Sequence, residues 1–141
     1  ISRYFERFPK VKQYINDTIA SARSNGYVET LLGRRRFLAD INSSNQNIRQ
    51  NAERQAINMP IQGTAADMIK LAMIHIDGAF TTKGLESKML IQVHDELVFE
   101  VTKKEETDVR KIVMKHMQQS LKLDVPLEVE IGVGRTWLEA H

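Results

Sequence analysis

The amino-acid sequence predicts an α+β fold in which helices pack against an antiparallel sheet, and three observations lead to this class. Residues 61–80 carry apolar side chains on nearly every side of the helical period, which is typical of a buried helix. Two apolar runs follow, at residues 88–93 and 97–101, with three polar residues between them, as in a β-hairpin with a short turn. Residues 127–133 then alternate between apolar and other positions, which indicates a strand with one buried face.

The first part of the chain is predicted to form a helix followed by a second, smaller hairpin. Apolar residues recur at helical spacing through residues 9–25, and Gly26 supplies the left-handed cap at which many helices end. Residues 27–32 are rich in β-branched and apolar side chains, Gly33 turns the chain, and residues 34–38 return as a short second strand.

Two further helices are predicted on either side of Pro60. The polar loop at residues 42–45 delivers an N-cap, and apolar residues at helical spacing extend from there to Met59. Proline has no backbone N–H, so we expect Pro60 to interrupt this helix and to separate it from the buried helix that follows.

The second half of the chain is predicted to contain one more helix. Residues 102–105 have the Thr-x-x-Glu pattern of a capping box, and an apolar stripe runs from Val109 to Leu121. From residue 61 onward the predicted order is therefore helix, strand, strand, helix, strand. This is an incomplete βαββαβ unit that lacks its first strand.

Length and composition restrict the class of protein. With 141 residues and 42% apolar content, the chain is long enough for one core of ordinary size. It has no cysteine, which excludes a disulfide framework and a thiolate zinc site, and no apolar run approaches the ~20 residues of a membrane span. We expect a cytoplasmic protein, and because the sequence starts at Ile1, we expect it to begin within a longer chain.

The net charge of +2 is small, but the basic residues are concentrated in the first half. Between residues 23 and 54 there are six arginines and three acidic residues. Arg34, Arg35 and Arg36 follow one another on the predicted turn, where guanidinium groups would suit phosphate contacts. Three basic residues in a row are also common on an ordinary protein surface.

Two adjacent carboxylates, Asp95 and Glu96, lie between strands that are otherwise almost wholly apolar. At the edge of such a sheet they would be partly desolvated and would repel each other, and a hard divalent cation such as Mg²⁺ relieves both effects. Aspartate is also frequent in turns because its side chain bonds to the turn backbone. The hairpin alone leaves both interpretations open.

Arg54, Asn58 and Gln62 are spaced four residues apart, which would place them along one face of a continuous helix. Donors in such a row suit the DNA minor groove, where base pairs present acceptors at nearly the same positions whatever the sequence. The spacing is equally compatible with an ordinary solvated helix face, and Pro60 makes the place of Gln62 in the row uncertain.

These segments together resemble the signature of family A DNA polymerases, the DNA polymerase I type. The resemblance is carried by residues 54–67 (RQAINMPIQGTAAD) and residues 92–98 (QVHDELV). Residues 4–9 (YFERFP), residues 33–36 (GRRR) and Trp137 are similar to the family in the same order, so the resemblance covers essentially the whole chain.

The resemblance implies a DNA-directed DNA polymerase of the bacterial cytoplasm or nucleoid, acting in replication and repair synthesis. Its partners would be primer-template DNA, deoxynucleoside triphosphates and the remainder of the polymerase chain. Residues 1–60 would form a segment at the junction of the fingers and palm, and residues 61–141 the palm catalytic subdomain with its antiparallel sheet.

The resemblance also implies a role for each matching side chain. Asp95 would be a catalytic ligand of the two Mg²⁺ ions, and Glu96 its accessory catalytic neighbour. His94 would lie against the primer terminus. The other DNA-binding residues implied are Arg54, Asn58 and Gln62, which match minor-groove and primer-template contacts, and Arg34 and Arg35, which would be within reach of the DNA backbone.

Parts of the family pattern are absent from these 141 residues. The second metal-binding aspartate and the helix that holds the triphosphate would lie outside this chain, so we expect it to be inactive alone.

Two alternatives to a polymerase function remain. The βαββαβ order is shared by non-catalytic nucleic-acid-binding modules of the RNA-recognition type, which need stacking aromatic residues on their strands, and here only Phe99 is available. The chain could also be a structural segment with no activity of its own.

Overall fold

The computed structural model describes residues 2–140 and contains helices together with two small antiparallel sheets, which confirms the predicted α+β class. The chain forms two compact units, one ending at Ala65 and the other beginning at Ala66. The elements in chain order are α1 (Ser2–Arg7), α2 (Pro9–Asn25), β1 (Tyr27–Glu29), β2 (Arg35–Phe37), α3 (Gln46–Lys83), β3 (Lys88–Val93), β4 (Glu96–Glu100), α4 (Glu106–Gln118) and α5 (Trp137–Ala140). Strands β1 and β2 form one sheet, and β3 and β4 form the other.

The predicted first helix and first hairpin are both present. Helix α2 starts at Pro9, whose fixed φ suits the first helical position. It ends where Gly26 adopts a left-handed φ of 77° and donates its N–H to the carbonyl of Ala22. Strands β1 and β2 pair in antiparallel fashion, although each has only three residues and is shorter than the apolar pattern indicated.

Helix α3 begins at the predicted cap. The Asn45 side-chain oxygen accepts hydrogen bonds from the backbone N–H groups of Asn47, at 3.0 Å, and Ile48, at 3.4 Å. These bonds satisfy two of the N–H groups that a helix start leaves without an intrahelical partner. From there the helix runs without interruption for 38 residues.

The prediction that Pro60 interrupts the helix is wrong, because α3 continues through it. Side chains bond to carbonyl groups around the proline. The Tyr14 hydroxyl donates to the carbonyl of Ile57 at 3.1 Å, and the Thr64 hydroxyl donates to the carbonyl of Pro60 at 2.5 Å. Buried residues also lie on both sides of the proline, and tertiary packing of this kind stabilises a helix more than local propensity does.

The turn between β1 and β2 packs against α3 at one point, which we call the Gly63 contact. The Leu31 N–H donates to the hydroxyl of Thr64 at 3.0 Å, and the Arg34 guanidinium donates to the carbonyl of Gly63 at 2.9 Å. A Cβ atom on Gly63 would lie 2.7 Å from the side-chain methyl of Thr30. Glycine is therefore required here by the close approach of the turn.

Each unit has its own core. The core of the first unit consists of small and medium apolar residues from α2, β1, the segment after β2 and α3, namely Ala22, Val28, Leu38, Ile41, Ala52, Ala56 and Met59. The core of the second unit joins α3 to α4 through Ala72, Ile76, Phe80, Val109, Ile112 and Val113. No helix within residues 2–140 has the length and apolar character needed to cross a membrane.

The second hairpin covers one side of the second core. Leu97 and Phe99 on β4 pack against it, with the ring of Phe99 5.9 Å from that of Phe80. Met89 pairs with Phe99 and Ile91 pairs with Val98, so one extra residue interrupts the pairing between them and forms a bulge. Ile91 is 55% exposed, which shows that the other face of the hairpin is open to solvent in this chain.

The prediction of a third strand in this sheet is wrong for the described residues, since residues 127–133 pair with no neighbour. The alternation is present as far as residue 131, because Leu127, Val129 and Ile131 are half-buried whereas Glu128 and Glu130 are exposed, but Val133 is exposed as well. A one-sided apolar pattern determines which side chains face the core, but a strand also needs the hydrogen bonds of an adjacent strand.

The predicted capping box is wrong as well. Helix α4 starts at Glu106, and the Glu105 side chain makes no bond at the helix start. Its carboxylate instead accepts hydrogen bonds from the backbone N–H groups of Glu86 (3.1 Å) and Ser87 (2.9 Å) and from the Ser87 hydroxyl (2.6 Å). The Ser87 hydroxyl bond, followed by the backbone bond from Glu86, lowers the pKa of Glu105 to about 2.

We predict that Gly63→Ala will destabilise the chain, because the new methyl group would overlap the Thr30 side chain at a buried site. Overpacking of this kind lowers the free energy of unfolding by about 1–3 kcal/mol, which urea denaturation would measure. Gly78→Ala is the matched control in the same helix, since a Cβ there meets nothing within 4 Å. We expect the control to raise stability by about 0.5–1 kcal/mol. An unchanged midpoint for Gly63→Ala would show that the Gly63 contact is loose.

We predict that Glu105 stabilises the fold at neutral pH and that acid removes this contribution. Its folded pKa of about 2 lies below the ordinary value of 4.5, so the stabilisation is complete above pH 4.5 and is lost as the pH falls towards 2. Glu105→Gln should therefore differ most from the wild type in unfolding free energy near pH 6, and the difference should shrink by pH 2.5. Glu106→Gln is the control, because that side chain is 48% exposed and pairs with Arg110 at 3.7 Å. An equal difference between wild type and Glu105→Gln at both pH values would contradict the assignment.

Candidate functional site

The predicted row of donors on α3 is present in the structure. Because the helix continues through Pro60, Arg54, Asn58 and Gln62 follow one another at intervals of one turn on the same face. All three side chains are exposed. They line a groove of about 290 Å³ within the first unit, together with Arg36, Asn51, Gln55 and Met59.

The groove is rich in hydrogen-bond donors and contains no carboxylate. Its polar lining consists of two guanidinium groups and four side-chain amides. Amides both donate and accept, whereas arginine only donates and keeps its positive charge. This combination suits a ligand that presents negative charge and an array of acceptors, as the backbone and minor groove of a nucleic acid do.

Arg36 is the groove residue that the sequence did not distinguish from its neighbours. It lies on β2 opposite Val28, and its guanidinium donates to the Gln55 side-chain oxygen at 2.8 Å. Successive side chains of a strand point to opposite faces, so neighbouring arginines on β2 must point in different directions. From the sequence alone, this alternation would have indicated that Arg35 and Arg36 have different surroundings.

Arg34 and Arg35, which were predicted to reach the DNA backbone, both have partners within the chain. Arg34 donates to the carbonyl of Gly63 and so takes part in the Gly63 contact. Arg35 forms an ion pair with Glu29 at 3.2 Å, and its guanidinium lies 4.4 Å from the centre of the Tyr27 ring. Their contacts with DNA remain predictions, and Arg34 has in addition a role in holding the first unit together.

His94, Asp95 and Glu96 lie at the tip of the second hairpin, in the second unit. Strand β3 ends at Val93 and β4 begins at Glu96, so the loop between them is His94 and Asp95. Both loop residues are exposed, while Glu96 is half-buried and pairs with Val93 in the ladder. The structure therefore brings the three predicted residues together at one end of the sheet.

The backbone of this turn is strained. His94 has a φ of 54° and is the only residue other than glycine between 2 and 140 with a positive φ. The side-chain amide of Gln92 donates to its carbonyl at 2.8 Å and supports this conformation. A non-glycine residue in this region costs on the order of 1–3 kcal/mol, and such strain is concentrated at functional sites. The side chain of His94 thus occupies a position where glycine or asparagine would fold more easily.

The turn carries side chains of the donor type that a magnesium site uses. Carboxylate oxygens are the donors that Mg²⁺ prefers, and the exposed Asp95 and its neighbour Glu96 offer them side by side. No group of three histidine, cysteine or acidic side chains in the described part of the chain is arranged to hold a metal ion. The donor type therefore fits Mg²⁺, while a complete set of protein ligands would need a further residue.

Comparison with known proteins shows which family the chain is similar to. Residues 1–139 match the sequence profile of DNA polymerase family A. DNA polymerase I of Streptococcus pneumoniae (strain TIGR4) is 53% identical over 140 residues, which cover 99% of this chain and 16% of that protein. The thermostable DNA polymerase I of Thermus filiformis is 50% identical over 140 residues, or 99% of this chain and 17% of that protein.

A solved structure gives the same result. The POL domain of Pol1 from M. smegmatis, in complex with DNA primer-template and dNTP, is similar with a TM-score of 0.95 and 51% sequence identity. The match covers 97% of this chain and 24% of that one, and the chain spans about 16% of the length of the curated relative from Streptococcus pneumoniae. With a profile match over nearly its whole length, this chain belongs to DNA polymerase family A.

Proposed function

We propose that this chain forms one side of the active site of a DNA-directed DNA polymerase, which joins a deoxynucleoside triphosphate to a primer 3′-hydroxyl. The observation that carries the proposal is the exposed Asp95 at a strained two-residue turn, beside Glu96, in a chain that matches family A along its length. The similarity to a POL domain solved with DNA primer-template and dNTP supports the same substrates. In the reaction the hydroxyl oxygen forms a bond to the α-phosphorus and pyrophosphate leaves.

Asp95 is the metal ligand in this proposal. When bound, Mg²⁺ supplies a Lewis acid that activates the attacking hydroxyl and neutralises charge on the phosphates. The hairpin presents the Asp95 carboxylate at its tip, where a hydrated ion can reach it without desolvating the rest of the sheet. Glu96 adds negative charge next to it, and a second aspartate from outside this chain completes the ligands.

The groove on α3 serves to hold the primer-template in this proposal. Arg54, Asn58 and Gln62 project donors at successive turns of one helix face, and a minor groove presents acceptors at each base pair. A mispaired end displaces those acceptors, so the row tests the geometry of the pair rather than its sequence. His94, at the tip of the other hairpin, would contact the primer terminus.

The two units correspond, in this proposal, to the two segments expected from the sequence. The first unit carries the DNA-holding groove and represents the junction of the fingers and palm, and the second carries the catalytic turn and represents part of the palm. The boundary between the units follows Ala65, five residues after the proposed end of the first segment.

A non-catalytic RNA-recognition module is the weaker alternative. Such modules stack bases on aromatic side chains that are exposed on their sheet. Phe99 is the one aromatic residue on β3 and β4, and its ring packs against Phe80 and the second core. It is therefore occupied by the fold and is not presented to a base.

We predict that Asp95→Asn, made in the whole polymerase, will reduce nucleotide incorporation by several orders of magnitude and leave DNA affinity nearly unchanged. The substitution keeps the shape of the side chain and removes the charge that a hard cation requires. Single-turnover incorporation and a DNA-binding titration would measure the two effects. Asp124→Asn, at an exposed site in an irregular segment, is the control and should behave as wild type. Near-normal incorporation by Asp95→Asn would remove this residue from the site.

We predict that Arg54→Ala and Gln62→Ala in the whole polymerase will weaken primer extension and reduce the discrimination against a mismatched primer end. Each change deletes a donor to an acceptor that every correct pair presents, so the loss should be similar for all template sequences. Extension rates on matched and mismatched primers, over several sequences, would measure this. Gln118→Ala, an exposed residue on α4, is the control. A loss confined to particular template sequences would indicate direct base readout and contradict the geometric test.

A further inference from the structure

Two histidines face each other in the second unit, and the proposed polymerase reaction uses neither of them. His75 lies on α3 and His116 on α4. Their ring centres are 5.7 Å apart, and the ring planes are inclined by 52°. His75 is exposed and His116 is half-buried, so the space next to the two rings is open to solvent.

Both histidines lie next to residues of the second core. His75 lies three residues after Ala72 and His116 three residues after Val113, and residues at this spacing share a helix face. Both Ala72 and Val113 are buried in the contact between α3 and α4. The two imidazoles are therefore positioned at the edge of a packed core.

The separation of the rings suits a single bridging ion. Two imidazoles that share one ion, with metal–nitrogen bonds of about 2.0–2.1 Å, place their ring centres roughly 4.5–6 Å apart, depending on the angle between the two bonds. Imidazole nitrogen is a good ligand for Zn²⁺, Ni²⁺ and Cu²⁺, whereas Mg²⁺ prefers oxygen. Burial, together with the charge of Lys115 and the neighbouring His75, lowers the pKa of His116.

We propose that His75 and His116 form a two-histidine site for a divalent transition metal of the Zn²⁺, Ni²⁺ or Cu²⁺ type. Water completes the coordination, since no group of three potential protein ligands is arranged around an ion in the described part of the chain. The bound ion cross-links α3 to α4 and stabilises the second unit by mass action. The site is separate from the carboxylates of Asp95 and Glu96 in donor type and in metal preference.

The test uses the untagged chain, stripped of metal with a chelator, and Ni²⁺ and Cu²⁺ as the probes. The sequence contains four histidines, so the background from the other two is removed with His94→Ala and His141→Ala. In that background we expect one Ni²⁺ per chain by calorimetric titration and a higher midpoint of thermal unfolding with Ni²⁺ but not with Mg²⁺. His75→Gln and His116→Gln should each weaken Ni²⁺ binding at least tenfold and abolish the thermal shift.

A spectroscopic measurement separates a shared ion from two independent ones. The electron paramagnetic resonance spectrum of the Cu²⁺ complex should show coupling to two imidazole nitrogens, which falls to one in His75→Gln. Because His75 is exposed, this variant should fold even if His116→Gln does not. Ni²⁺ affinity in His75→Gln equal to that of its parent, a single coupled nitrogen in the parent, or no binding at all would overturn the proposal.

Discussion

The hydroxyl of Thr64 is the interaction on which the first unit depends most directly. It donates to the carbonyl of Pro60, where the helix carries a proline, and it accepts the backbone N–H of Leu31 from the turn of the first hairpin. One buried side chain thus bonds within α3 and at the same time fastens the hairpin to it. The adjacent Gly63 allows the turn to approach closely enough for the bond from Leu31 to form. Arg54, Asn58 and Gln62 line a groove whose walls come from α3 and from β2. The groove therefore depends on the attachment of the first hairpin to α3 through Thr64 and Gly63.

The parts of the fold that depend on residues close together in the sequence could be predicted from the sequence. Helix α2, with Pro9 at its start and Gly26 after its end, and the Asn45 cap of α3 follow local rules and were found where expected. The interruption at Pro60 was a wrong prediction because the local rule counts the missing N–H but not the bonds around it, from the hydroxyl of the distant Tyr14 and from that of Thr64 one turn further along α3. Tertiary packing outweighs propensity at this position.

The two errors in the second unit have the same origin. Residues 127–131 show the burial alternation of a strand, but whether a strand forms depends on a hydrogen-bonding partner that the pattern does not specify. The Thr102 and Glu105 spacing of a capping box is correct, yet Glu105 bonds to the distant Ser87 instead. In the candidate site, the spacing predicted a common face for Arg54 and Asn58, whereas the place of Gln62 depended on the continuation of α3 through Pro60. The joining of Arg36 to them was not predictable without the pairing of β1 with β2.

The bulge in the second hairpin has a consequence for how this part of the protein can change during evolution. Met89 and Ile91 are two residues apart, yet they pair with the adjacent residues Phe99 and Val98 and therefore lie on opposite faces. The extra residue, Leu90, thus resets the in–out alternation between the base of the hairpin and its tip. The hydrophobic pattern at the base of β3 therefore places no requirement on the pattern of β3 near the turn, whereas β4 has no extra residue and directs both Leu97 and Phe99 to the second core. During evolution the part of β3 next to the turn can therefore change its apolar pattern independently of the base of β3, whereas changes at Leu97 or Phe99 on β4 would disturb the core.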